Sequence, residues 1–142
     1  MIKKETLRVA DFDNDENIML FSIASSESDI HLCLLINKIF KISLSLSDDL
    51  IVVSKKESTG FRKYEFENAE TGEKYILLLN RNSAGKFLMS EFKKIDFIFL
   101  IISEMPGSIY DKPIQRLKNE NTISAIFKIN PDTIRSFNKL NL

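Results

Sequence analysis

The stretch that most limits what this chain can become is Ile95 to Ile102, IDFIFLII, where Asp96 is the one polar residue. It opens out of a short polar loop and is far shorter than the ~18 apolar residues that a membrane helix needs. A brief apolar run that neither alternates nor repeats at helical spacing, and is rich in Ile and Phe, reads as a strand covered by protein on both faces. A strand of that kind belongs in the interior of a sheet. Glu91 and Asp96 stand where the loop feeds this core.

The rest of the chain supplies a sheet and its cover. Residues 5–10 are expected to form a strand, followed by an acidic turn at Asp11–Glu16 and a second strand at Ile18–Ala24. Ser26 and Asp29 have the spacing of a capping box, so a helix is expected to start there and run to about Phe40. Its apolar residues fill more than one stripe, which points to deep packing. Ile42-Ser43-Leu44-Ser45-Leu46-Ser47 alternates at period two, the pattern of a half-buried strand with leucines inward and serines out. Asp48-Asp49 interrupts it, Leu50–Val53 resumes it, and 54–60 reads as a loop. Phe61–Glu67 and Glu73–Asn80 then form a hairpin across Asn68–Gly72, with Tyr64 and Phe66 on one face and Tyr75–Leu79 in a central strand. Asn82–Gly85 has the residue preferences of a type I turn. After the buried strand, Met105-Pro106-Gly107 is a stop. Asp111 as N-cap with Pro113 in the first turn starts a short helix that turns Ile114 and Leu117 inward. A strand at Thr122–Ile129 and a terminal helix carrying Ile134, Phe137 and Leu140 complete the chain.

Two βαβ-like passages therefore flank a meander. The expected fold is α+β, a mostly antiparallel sheet with helices packed on one face, in a two-layer sandwich. A length of 142 residues fits a single domain, 1–142, that buries roughly 68–70% of its unfolded surface. Eleven Phe and no Trp build that core on Phe, Ile and Leu. Twenty basic residues balance twenty acidic ones. Nucleic acid is not expected as a partner without a basic footprint, and weak self-repulsion permits self-association as a homodimer. The N-terminal MIKKETLRVADFD carries no apolar stretch, so no signal peptide and no membrane insertion are expected, and the cytoplasm is the expected compartment.

The segment Met89–Phe97, MSEFKKIDF, resembles the signature of the bacterial IPExxxVDY family. Glu91 and Asp96 match, Ile95 stands for Val and Phe97 for Tyr, while Met89 and Ser90 replace Ile and Pro. The segments HLCLLINK, SDDL, LLLNRNSAGKFL and FKINPDTI are similar to the family in the same order, so the likeness covers most of the chain. It implies no particular reaction.

Candidate sites are few. Glu91 and Asp96 are a conceivable acid/base pair, but five residues apart they fall on opposite faces of a strand, or about 140° apart around a helix. The alternative is that each carboxylate anchors backbone N–H groups where the loop enters the sheet. Arg81, Lys86, Lys93 and Lys94 make the most basic local patch, either a solvated turn or an anion contact. Asp11, Asp13 and Asp15 have the opening spacing of a calcium loop, which then fails at Glu16, where Gly is required, and at Ser22, where Glu is required. His31 is the single histidine and Cys33 the single cysteine, so no metal site is expected. Cys33 reads as a small buried hydrophobe and His31 as a surface residue. Phe61, Tyr64 and Phe66 suit a core better than an RNA-stacking platform. No glycine-rich phosphate loop is present, and no cofactor is expected. The expectation is a non-catalytic cytoplasmic protein that acts through protein–protein or self-association. The alternative is a small-molecule or anion-binding regulatory domain that uses residues 80–96, with Arg81, Lys86, Glu91 and Asp96 as binding residues.

Overall fold

Alternating polarity and apolar runs become six strands joined into one sheet. The computed structural model describes residues 17–54 and 57–130. The strand expected at 5–10, the turn with Asp11, Asp13 and Asp15, and the helix with Ile134, Phe137 and Leu140 lie outside the described residues. The elements run β1 (Asn17–Ser25), α1 (Asp29–Phe40), β2 (Ser45–Ser54), β3 (Glu57–Glu67), β4 (Lys74–Leu79), β5 (Phe97–Ser103), α2 (Asp111–Lys118) and β6 (Ile123–Ile129). The sheet order is β2-β3-β4-β5-β1-β6, and every neighbouring pair is antiparallel. The meander β2 to β5 is thus framed by two helical crossovers, α1 from β1 to the far edge and α2 over β1 to β6. This is the α+β architecture expected from the sequence.

Side-chain alternation divides the sheet into two apolar faces. On one face Met19, Phe21, Tyr75, Leu77, Phe99 and Ile101 meet Leu32, Cys33, Ile36 and Ile39 of α1 and Leu117 of α2. Phe40 sets its ring edge-on to Phe99, 5.4 Å between centroids, a favoured geometry for aromatic quadrupoles. On the other face Leu20, Leu50, Phe61, Ile76, Leu78, Ile98, Leu100 and Ile102 pack with Leu88 and Met89, which come from the segment between β4 and β5. All seven residues of β5 are buried, so the FIFLIIS run is covered above and below. Polarity returns at β3, where the buried Lys63 lies 3.8 Å from Glu65 Oε2 and Lys74 lies 3.7 Å from the same oxygen.

Several local expectations move. The N-cap of α1 is Ser28, whose Oγ accepts a bond from His31 N at 3.2 Å; the capping box at Ser26 and Asp29 does not form. Asp48-Asp49 does not end a strand. The two residues are absorbed as a bulge, because Ser47 pairs with Lys63 and Leu50 with Phe61, which sets Asp48 and Asp49 against the single residue Arg62. The extra residue turns Leu50 away from the helix side and into the second core. Leu46, by contrast, points into no core: it sits opposite Tyr64 on the edge strand and is 60% exposed, where the helix layer does not cover it. Residues 57–60, expected in a loop, are the start of β3. Helix α2 follows a 3-10 turn, Gly107–Tyr110, so Asp111 lies inside its first turn and Tyr110 holds the cap position. The Asn68–Gly72 and Asn82–Gly85 turns form as expected, with Gly72 at φ 77° and Gly85 at φ 80°.

Between β4 and β5 the chain leaves the sheet for residues 81–96 and comes back in register, Leu79 opposite Phe97. One side chain holds that excursion. Asn80 is fully buried. Its Nδ2 donates to Phe92 O at 2.8 Å and to Ile95 O at 2.9 Å, and its Oδ1 accepts from Met89 N at 2.8 Å. Its backbone N–H donates to Asp96 O and its carbonyl accepts from Leu88 N. Every polar atom of the residue is satisfied, as burial requires. Asn80→Ala would strand one buried amide and two carbonyls. At ~1–3 kcal/mol per unsatisfied group, partly relieved by water, a loss of about 3 kcal/mol is expected in urea unfolding. A loss below ~1 kcal/mol would show that the excursion is held by something else.

Candidate functional site

The four residues singled out within 80–96 do not converge; the turn chemistry of the excursion distributes them. Arg81 forms a bridge with Phe87 and lays its guanidinium over that ring, 5.7 Å from the centroid. Lys86 is exposed and engaged by Glu57 of β3, whose carboxylate it holds below the usual range. Asn82 sets this turn by accepting from Ala84 N and Lys86 N at 3.0 Å each, and it ties the turn to β3 by donating to Gly60 O at 3.2 Å. Asp96 stands at the entry to β5. Its Oδ2 accepts from Ser25 N at 2.9 Å, and its own N–H donates to Ile23 O at 3.0 Å. It stitches the end of β1 to the excursion. Glu91 is exposed on a single 3-10 turn, Ser90–Phe92, and lines a groove that Asp96 does not line.

That groove is an apolar concavity at the second half of the excursion. It encloses about 590 Å³ between residues 90–95 and the second face of β1 and β6. Phe92, Ile95, Phe127 and Ile129 form its apolar walls, Ser22 sits in its floor, and Glu91, Lys93 and Lys94 stand on its rim. A volume in the range of ~300–1,000 Å³ suits a ligand or an inserted side chain. The geometry follows from two local facts. Asn80 pins the carbonyls of Phe92 and Ile95, which fixes the near wall. β6 pairs Phe127 with Ser22 and Ile129 with Leu20, which puts both apolar side chains on the same face as that wall. Phe127 and Ile129 escape notice in the sequence because an edge strand with apolar residues at both parities reads simply as buried. The structure leaves Phe127 60% exposed.

Two partly buried polar networks lie on the helix side. Asp29, in the first turn of α1, accepts from Tyr64 OH at 2.6 Å and from Arg62 at 2.9 Å. Burial alone would raise the Asp29 pKa; Tyr64 and Arg62 hold it below the ordinary 3.8. Glu73 accepts from Tyr110 OH and from Tyr75 OH, and Tyr110 OH also meets Ser103 Oγ at 2.8 Å. Burial again works against the Glu73 charge, and the hydroxyls of Tyr110, Thr71 and Tyr75 keep its pKa lowered. These networks dock the helix layer to the sheet. Neither sets a nucleophile beside a base. Cys33 is buried with its Sγ 3.5 Å from Leu44 O, and burial together with the Asp29 charge pushes its thiol pKa up, away from a reactive thiolate. His31 is exposed and lies 3.6 Å from Glu27. Phe61 and Tyr64 are buried on opposite faces and form no stacking platform. Among the described residues no three His, Cys, Asp or Glu side chains gather as metal ligands, and no helix is long and apolar enough to cross a membrane.

Compared with known proteins, the chain matches no protein-family model and no curated protein.

Two measurements follow from the site's electrostatics. Burial and the Asp29 hydrogen bond push the Tyr64 phenol up to about 12, and burial and Glu73 do the same to Tyr110, against an ordinary 10.0. A raised phenol pKa means that the folded state holds its proton longer than the unfolded chain. The stabilisation is complete below pH 10 and is lost as pH rises through 12. Urea midpoints are therefore expected to fall across that window, and less steeply in the Tyr64→Phe/Tyr110→Phe double variant; equal slopes would contradict the assignment. Asp96→Ala removes an exposed carboxylate from one backbone N–H, and an expected loss of about 1 kcal/mol separates it from the deeper Asn80 lock. An unchanged unfolding midpoint would remove Asp96 from the structural account.

Proposed function

We propose that this protein works by association rather than by catalysis, and that its partner is a second copy of the same chain docked on the Phe92–Phe127 groove. The observation that carries the reading is the exposed Phe127 at the wall of an apolar groove of about 590 Å³. Knob and hole lie on one patch, which is the requirement for a twofold, self-complementary interface. The rim carries both signs, Glu91 against Lys93 and Lys94, so a twofold sets acid opposite base. The outer edge of β6 pairs with no strand among the described residues; its one register shift lies at its start, opposite Ala24 and Ser25, and it lacks the paired aspartates that blunt the opposite edge at β2. A formal net charge of zero adds little repulsion between copies.

Kinship with the bacterial IPExxxVDY family and a cytoplasmic location belong to the same proposal. Their support is the MSEFKKIDF segment, the ordered likeness along the chain and a composition with a single cysteine. In this reading the signature segment is the wall of an interface. Its lysines and Glu91 face the partner, and Asp96 secures the segment to β1.

Size-exclusion chromatography with light scattering is expected to give a dimer that dissociates on dilution. Phe127→Glu is expected to give a monomer whose unfolding free energy in urea stays within about 0.5 kcal/mol, because the replaced ring is exposed. A monomer at all concentrations, or a dimer that survives Phe127→Glu, would overturn the proposal.

A further inference from the structure

A second concavity, on the helix side of the sheet, encloses about 380 Å³ where β2, β3 and the end of β4 meet the Arg81 turn. Asp49, Gly60, Arg62, Leu79, Arg81 and Ser83 line it. Its charges are only partly paired. The Arg62 guanidinium is engaged by Asp29 at 2.9 Å. Arg81 touches the Phe87 ring, but no carboxylate among the described residues lies within ion-pair distance of it. Asp49 likewise has no cationic or hydrogen-bonded partner among the described residues. A free guanidinium fork and a free carboxylate therefore share one small cleft without closing on each other.

The backbone holds both groups in place. Asp49 occupies the β2 bulge, which fixes the direction it leaves the strand. Gly60 faces it from β3, and a Cβ there would come within 3.0 Å of Asp49 Oδ2. The absence of a side chain at Gly60 is what leaves the carboxylate room. The Arg81 guanidinium lies over the Phe87 ring and beside Gly85, the last residue of the Asn82 turn. Ring contact leaves the edge N–H groups of the guanidinium available for a bidentate acceptor.

We propose that this cleft binds a small zwitterion with a carboxylate and a primary ammonium group, as in a free α-amino acid. The carboxylate takes the Arg81 fork, the ammonium takes Asp49, and Leu79 supplies an apolar wall for an aliphatic portion. The site is independent of the proposed dimer: its residues lie on the helix side and β6 contributes nothing to it.

Titration of the isotope-labelled chain with L-alanine, L-leucine and L-serine, followed by amide chemical shifts, tests the assignment. Saturable shifts at Asp49, Gly60 and Arg81 are expected, in wild type and in Phe127→Glu alike. Propionate, which lacks the ammonium, and ethylamine, which lacks the carboxylate, are expected to bind at least about tenfold more weakly. Arg81→Ala and Asp49→Asn are each expected to cost at least about tenfold, the loss of one charge-assisted contact, with far-ultraviolet circular dichroism unchanged. Gly60→Ala is expected to weaken binding by displacing Asp49. Absence of saturable shifts, propionate binding equal to that of the amino acids, or full affinity in Asp49→Asn would overturn the zwitterion site. Inorganic phosphate binding more tightly than every amino acid would overturn it in favour of a simple anion contact.

Discussion

The carboxamide of Asn80 is the constraint on which the rest of this structure depends. β4 and β5 are the two central strands, and each must be flanked by apolar cover on both faces. The helices cover one face. On the other face Leu88 and Met89 join the core only because the segment carrying them is drawn back over the sheet. An excursion of mixed polarity cannot do this by hydrophobic contact alone, since its backbone groups must be satisfied when they leave water. Asn suits this position because one short side chain carries two donors and an acceptor, and here it bonds two carbonyls and one amide. Asp in its place would turn an acceptor toward two carbonyl oxygens. Leu would fill the space and leave three backbone groups unpaired.

The same lock explains why the binding surfaces lie where they do. The first half of the excursion, Arg81 to Lys86, is shaped by Asn82 and pressed against β3, which forms one wall of the helix-side cleft. The second half, Ser90 to Ile95, is shaped by Asn80 and lies against β1 and β6, where it forms one wall of the apolar groove. One connection between two core strands thus supplies a wall to a polar cleft on one face and an apolar groove on the other. Connections of this kind can carry function while the strands they join stay fixed, because the rigid sheet sets the ends and leaves the middle free to vary.

The core was legible in the sequence, and the sites mostly were not, for a physical reason. The IDFIFLII run, the Tyr75–Leu79 run and the Asn68–Gly72 turn each encode local geometry directly, through β-branched and aromatic density and through a residue able to take positive φ. The architecture follows from their order. Leu50 resisted because one bulge residue reverses the face of everything beyond it, and no composition signal marks a bulge; Leu46 resisted because the helix layer does not reach its place on the edge strand. The start of α1 moved from Ser26 to Ser28 because serines at both positions offer the same capping group. In the sequence Asn80 reads only as the end of a strand. Its role requires three partners at 9, 12 and 15 residues' distance, which no local pattern reveals.

The candidate residues were misgrouped by proximity in sequence. Arg81, Lys86, Glu91 and Asp96 look like one polar patch because they occupy one connection, yet that connection wraps the end of the sheet. Lys86 is paired with Glu57, Asp96 with a backbone amide of β1, and Arg81 and Glu91 line different concavities. The partners that complete each concavity come from strands distant in sequence: Asp49 and Arg62 for one, Phe127 and Ile129 for the other. An exposed aromatic on an edge strand and an uncompensated Arg–Asp pair are properties of the assembled sheet, since both depend on which neighbours are absent as much as on which are present. Binding chemistry here is created at the margins, where pairing stops and the excursion supplies the missing wall.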